Sequence, residues 1–349
     1  MQRLLRGRLF YVFLSGMVIW LYAHAIMTGH GRQHEVPETQ QQASAARKSI
    51  EVSLDMAAMQ KLAKEKPAAA LVMSATSLAT MMIAIFGIVL SVWGILSGRL
   101  KSLWQFPQAR LPAWSVHELS RIVFLVLLAA ALMPFTRLAL LSIEPRWELD
   151  VHLWIPVSMV ILDTFIILAV LVFAEGKRNT HAWETVGFVR EKNNKSVRLA
   201  IRSYVTLFPW LMLLLFLIVE IANKLHWEPP AEPIQELIFQ EHRPWVFAIT
   251  VLLSCVIGPL AEECFFRGVL YPALKQKTSR WVAMGLSGAL FGMIHTNLIG
   301  FLPIMLLGCL LAYIYERSGS LTGSFLVHAA HNSLLMGMAI VYRYLTPAS

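Results

Sequence analysis

Charge is scarce in this sequence. Of its 349 residues only 15% are Asp, Glu, Lys or Arg, while 57% are hydrophobic. That balance excludes an ordinary water-soluble domain, whose surface needs far more charge. Cysteine is scarcer still: Cys255, Cys264 and Cys309 all lie in apolar segments, with no CxxC or CxxH pattern. No disulfide framework and no zinc-finger-like site is implied. No His-Glu-x-x-His string occurs, which disfavours a zinc protease of the site-two type. No internal repeat or low-complexity tract is present. The basic excess is real, 30 Lys and Arg against 21 Asp and Glu for a formal +9. It sits in short loops between apolar runs, so it reads as a positive-inside signal rather than a nucleic-acid footprint.

What the chain has instead is long apolar runs of about 20 residues, each enough to cross a bilayer. Arg3, Arg6 and Arg8 precede the run Leu9 to Met27, which reads as a start-inside anchor; Ala23-His24-Ala25 also resembles a signal-peptide cleavage site. Gly29 to Pro67 is polar, with Ile50, Leu54, Ala57 and Ala58 at the spacing of a short amphipathic surface helix. Further spans are expected at Ala68 to Leu96, Ile122 to Ile143 (kinked at Pro134), Trp154 to Ala174 (containing Asp163) and Tyr204 to Ala222. Four more are expected at Trp245 to about Tyr271, Trp281 to Leu298, Phe301 to Tyr315 and Leu321 to Tyr342. The fold class is therefore an all-α polytopic transmembrane bundle of about nine spans, because lipid satisfies no backbone polar group and an open sheet cannot cross it. Loops after the second, fourth, sixth and eighth spans are basic; those after the third and fifth are acid-rich. This alternation puts the N-terminus in the cytoplasm. Methionines and tryptophans are expected as packing residues and as lipid-facing or interfacial anchors.

Against that background the stretch Gly258 to Pro272, GPLAEECFFRGVLYP, stands out because it places Glu262, Glu263 and Arg267 at membrane depth. Charges there are costly; they face a bundle interior or a water-filled cavity and mark function. On a helix Glu263 and Arg267 are i,i+4 neighbours and can pair. Glu262 points about 100° away and lacks that partner. One neutralised carboxylate beside one free carboxylate suits a general base; a buried structural ion pair is the plain alternative. Two more polar patterns follow, Phe291-x-x-x-His295 and His328-x-x-x-Asn332, each spaced for one helical face. At 1.5 Å per residue, Glu262 lies about 15 Å, His295 about 21 Å and His328 about 10 Å from the ends of their runs. A common site at middle depth is therefore permitted. His331 and Asp163 are expected to be packing residues, Asp163 as a satisfied helix contact.

The ordered set Glu-Glu-x-x-x-Arg, Phe-x-x-x-His, His-x-x-x-Asn resembles the CPBP family of CAAX prenyl proteases and bacteriocin-processing or immunity (Abi) proteins. The resemblance covers roughly residues 204–342 and implies a catalytic membrane domain there, preceded by an N-terminal membrane region, 1–203, with four extra spans. It further implies an intramembrane endopeptidase acting on a membrane-associated, prenylated or other peptide substrate that enters from the lipid bilayer. Glu262 would activate water, assisted by His295; His328 and Asn332 would donate to the oxyanion; Glu263 would support the site through Arg267. No metal is favoured, but an older view of the family makes Glu262, His295 and His328 a zinc-binding set.

Two rivals are open. Gly285-Leu286-Ser287-Gly288 suggests a rhomboid-like serine protease, but there the His-x-x-x-Asn element precedes the serine, and here it comes last. The small residues Gly285, Ser287 and Gly288 are read as helix packing. A transporter or a partner-binding immunity protein would also carry buried charges in broken helices. A bacterial inner membrane is the expected location.

Overall fold

The computed structural model describes residues 64–98, 111–143, 150–175, 177, 181–225, 233–295 and 299–345. The expected first span and the amphipathic segment 50–58 lie outside the described residues. Among those described no strand occurs, and the chain is an all-α polytopic bundle. Its helices are α1 (Pro67–Leu96), α2 (Val116–Ile143), α3 (Val151–Ala174), the short α4 (Ala182–Val186), α5 (Asn193–Lys224) and the short α6 (Pro233–Gln240). There follow α7 (Pro244–Lys275), α8 (Arg280–Ile294), α9 (Phe301–Ser318) and α10 (Leu321–Leu345). Seven of them are long and apolar enough to cross a membrane. The exception among the long apolar runs is α8. With 15 residues it is about 22 Å long, and it stops four residues short of the expected Leu298. Pro134 lies inside a continuous α2.

Pairing of helix ends shows the alternation that successive crossings require. At one end Lys177, just past α3, donates to Glu118 at the start of α2 (2.6 Å), and Gln276, just past α7, donates to Trp114 O (2.7 Å). At that same end Lys275 of α7 donates to Glu316 near the end of α9, at 2.7 Å. At the other end Arg243, the N-cap of α7, binds Asp150, the N-cap of α3, while Arg343 late in α10 donates to Ile238 O of α6. Lys177 also lies 4.3 Å from the Trp114 ring centroid. Trp114 is fully buried and packs in the core, one of the two roles expected for tryptophan.

The four helices that lead up to α5 are not all peripheral. Ile122, Val170, Ala174 and Val186 share one apolar core with Cys264, Val269 and Tyr271 of α7, Ala283 of α8 and Ala312 and Tyr315 of α9. The division expected at 203/204 falls within α5, a single helix of 32 residues. Gly187 joins α4 to this core in a left-handed conformation (φ 129°), where a Cβ would sit 2.7 Å from the Tyr315 hydroxyl. By contrast α1 packs mainly along one side, against α5 and to a lesser extent α10. It crosses α5 at Gly87, whose missing Cβ would lie 2.1 Å from Val205 O. Elsewhere it exposes Leu71, Met82, Trp93 and Leu96, the surface a lipid-facing helix presents.

The local irregularity that matters is in α7. Two π turns, Leu253–Ile257 and Phe266–Leu270, interrupt it on either side of the glutamate pair. Both have the same cause. Pro259 and Pro272 carry no N–H, and each ring would collide with the carbonyl four residues back. Widening the turn relieves the clash and is a recurrent way to accommodate such a break at functional sites. In the first π turn the Gly258 N–H bonds to Leu253 O. Ser254 O thereby loses its helical donor, and Pro259 cannot replace it.

Candidate active site

Glu262 and Glu263 lie in the α-helical segment between the two π turns of α7. Their side chains diverge. Glu263 and Arg267 are both fully buried and pair at 2.7 Å, and the guanidinium also donates to Gly308 O of α9 at 3.1 Å. Gly308 can approach only because α8 and α9 meet through glycines: a Cβ on Gly308 would lie 2.9 Å from Gly288 Cα and 3.3 Å from Arg267 Nη2. The Arg267 guanidinium further sits 4.4 Å from the Phe291 ring centroid, a cation–π contact. Of the small residues read as helix packing, Gly288 and the buried Ser287 are packed, but a Cβ on Gly285 would meet nothing within 4 Å.

His328, on α10, joins the two carboxylates. Its Nδ1 lies 3.1 Å from Glu263 Oε1 and its Nε2 3.7 Å from Glu262 Oε2. A carboxylate only accepts, so Nδ1 carries a proton. His295 approaches the same Glu262 oxygen from α8, its Nε2 at 4.0 Å. It is the C-cap of α8 rather than a residue within a longer span. Its Nδ1 donates to Phe291 O at 2.7 Å, which leaves Nε2 as the acceptor in the neutral ring. Phe291 thus orients His295 through its carbonyl and, at 5.4 Å between ring centroids, packs edge-on against His328.

Glu262 is the focus of this group. Its Oε2 is covered yet has no hydrogen-bond partner. Two imidazole nitrogens face it from beyond direct bonding distance. Asn332, one turn beyond His328, donates to Ser254 O at 2.9 Å, supplying the donor that the first π turn takes from that carbonyl. His331 turns to α5, where its Nδ1 meets the Tyr204 hydroxyl at 2.9 Å. Asp163 departs from the expected satisfied contact: its Oδ2 is covered and has no hydrogen-bond partner.

A zinc ion would need Glu262, His295 and His328. Donors on a tetrahedral zinc, bound at about 2.0–2.1 Å, stand about 3.3 Å apart. The 3.7 and 4.0 Å separations here are wider, and no group of three His, Cys, Asp or Glu among the described residues has the spacing to hold a metal ion.

Residues 244–334 match the family described as Type II CAAX prenyl endopeptidase Rce1-like. The resemblance drawn from the three motifs holds over this Rce1-like segment, which contains all seven motif residues. Over 92 residues the chain is 28% identical to the Bacillus subtilis (strain 168) protein named "Putative membrane peptidase YdiL", covering 26% of this chain and 38% of that protein. Over 86 residues it is 31% identical to the "UPF0177 protein YxdF" of Lactococcus lactis subsp. lactis (strain IL1403), covering 24% of this chain and 46% of that protein. Each match spans less than half the length of the relative. No solved structure matches the chain. The Rce1-like segment begins at α7, so Asp163 and the helices before it lie outside the similarity.

Proposed function

We propose that this integral membrane protein is an intramembrane endopeptidase in which Glu262 activates the attacking water. The observation that carries this reading is the convergence of the Nε2 atoms of His328 and His295, from α10 and α8, on Glu262 Oε2 at 3.7 and 4.0 Å. A water held there donates one proton toward Glu262 and the other toward the neutral His295 Nε2. Glu262 takes its proton as the water oxygen bonds to the scissile carbonyl carbon. His328, doubly protonated and held by Glu263, donates from Nε2 to the oxyanion, joined by the second Asn332 N–H. Glu262 then returns the proton to the leaving nitrogen as the C–N bond breaks, giving a carboxylic acid and an amine. Arg267 and Gly308 O fix Glu263, so that His328 stays aimed.

The substrate is a peptide segment reached from the bilayer, with a prenylated tail as one member of that class; nucleic acid has no part. The basic-loop alternation supports a bacterial inner membrane with the N-terminus in the cytoplasm. The test compares membrane-protein fragments from cells making the wild-type protein or Glu262→Gln. New N-termini that appear with the former and vanish with the latter support the reading; equal fragment sets from the two would end it. Metal dependence is settled on purified protein: activity that survives chelation, with no zinc by elemental analysis, supports activated water, whereas loss restored by zinc would favour the zinc version. Flux of a solute that depends on Glu262, without peptide products, would mark a transporter.

A further inference from the structure

The protease reading leaves one buried acid unused. Asp163 comes from α3, outside the Rce1-like segment, and is the one aspartate within the expected spans. Its Oδ2 is covered and has no hydrogen-bond partner. A covered polar atom without a partner is uncommon in a native protein and calls for a cause. At membrane depth that cause is more often a ligand than an accident.

Its position supplies one. A Cβ built on Gly258 would lie 3.6 Å from Asp163 Oδ2, so the carboxyl is seated against α7 at that glycine. Gly258 and Glu262 are i,i+4 in a segment of regular α-helix and share a face. They are about 6 Å apart along the helix axis. Ser254, four residues earlier, adds another covered oxygen without a hydrogen-bond partner, its Oγ. In an extended peptide, N–H groups on one edge recur every two residues, about 6.7 Å. A strand laid along this face of α7 with its scissile carbonyl at Glu262 therefore brings a main-chain N–H level with Gly258 and Asp163.

We propose that Asp163 is a substrate-binding residue, accepting a hydrogen bond from a peptide main-chain N–H two residues from the scissile bond. This rests on the endopeptidase reading of Glu262. It adds a contact from α3, so that the region before the Rce1-like segment takes part in holding the substrate. Peptide binding in an extended form, with one edge on Asp163, sets the register that delivers one particular carbonyl to the water.

The experiment uses the full chain in lipid vesicles and a synthetic peptide spanning the most abundant cleavage site found by comparing wild type with Glu262→Gln. Asp163→Leu removes the acceptor and Asp163→Asn keeps its shape while removing the charge. We expect Asp163→Leu to lower kcat/KM at least tenfold, chiefly through KM, and Asp163→Asn to lower it about threefold or more. N-methylation of the amide two residues from the scissile bond should cost the wild-type protein a similar factor and cost Asp163→Leu almost nothing further. Such non-additivity marks a direct contact, which a merely structural residue would not produce. If Asp163→Leu does not fold, the same comparison on Asp163→Asn stands in its place. Fully additive losses, or cleavage by the Asp163 variants within twofold of wild type, would overturn the contact and leave the endopeptidase reading intact. An absence of any Glu262-dependent cleavage would instead overturn that reading, and this inference with it.

Discussion

Two Glu–Arg clusters sit on α7, one at its N-terminus and one near its middle. At the rim, Arg243 binds Glu241 at 2.7 Å and Asp150 at 2.9 Å, with His152 3.4 Å from Glu241. In the core, Arg267 binds Glu263 at the same 2.7 Å, with His328 3.1 Å from Glu263. The geometry is nearly the same, but the surroundings are not. The rim arginine is 35% exposed and Asp150 50% exposed, with Glu241 covered at 3%, while Arg267 and Glu263 are both at 0%. Water and salt screen the Arg243–Asp150 half of the first cluster, so that half contributes little. The second has traded water for one set of partners, and losing any of them strands a charge. The rim cluster pins helix ends; the core cluster aims an imidazole at Glu262.

That contrast can be tested by removing the same kind of residue from each place. Arg267→Met should destabilise the protein by about 3–5 kcal/mol, because Glu263 is left buried and uncompensated. Unfolding in detergent micelles, followed by helix content, checks this, and a loss under about 2 kcal/mol would place the core pair in the same class as the rim. Gly308→Ala comes next, at about 1–3 kcal/mol, since its Cβ must displace Gly288 or the guanidinium; thermal unfolding reads it directly. Asn332→Ala should cost a similar or smaller amount, about 1–3 kcal/mol, by leaving Ser254 O without a donor. It should also slow cleavage. Slower cleavage with no change in unfolding would deny Asn332 its bracing role at the π turn.

Arg243→Ala should cost less than Arg267→Met, about 1–2 kcal/mol, because the covered Glu241 carboxyl loses its guanidinium while the Arg243–Asp150 contact is screened and fades in high salt. The hydrogen bond from the Arg243 side chain holds the Glu241 carboxyl down at about 2 from an ordinary 4.5, against the opposing effect of burial. Asp150 is lowered by Arg243 as well. A depressed carboxyl contributes stability above its unfolded pKa and loses it as pH falls through the folded one. The rim's contribution is thus complete above pH 4.5 and declines toward pH 2. In Arg243→Ala that acid-side decline should shrink, which pH titration of the unfolding midpoint measures.

Much of the bundle is legible in the chain because lipid leaves few options. A run of apolar residues at this length has to be a helix, and a charge within it has to find company. The motif spacing also carries Glu263–Arg267, an i,i+4 pair. What the sequence hides is which helix meets which. His328 reaches Glu263 across 65 positions and Asn332 reaches Ser254 across 78, and no local pattern encodes either contact. Pro259 and Pro272 follow the two π turns, but Pro134, Pro156 and Pro209 sit inside helices without one, so proline alone does not announce them. The early end of α8 did have a sign, since the polar run His295-Thr296-Asn297 follows Ile294, where the helix ends. Asp163 was visible as an acid in an apolar run, but only packing of α3 on α7 reveals that it lacks a partner.

The central claim is that Glu262 does the chemistry. Its most direct test is cleavage by purified, metal-stripped protein in lipid vesicles, comparing wild type with Glu262→Gln at equal folded fraction. The account predicts peptide products from the wild type and a loss of at least about a hundredfold in the variant. Cleavage by Glu262→Gln at the wild-type rate would contradict it.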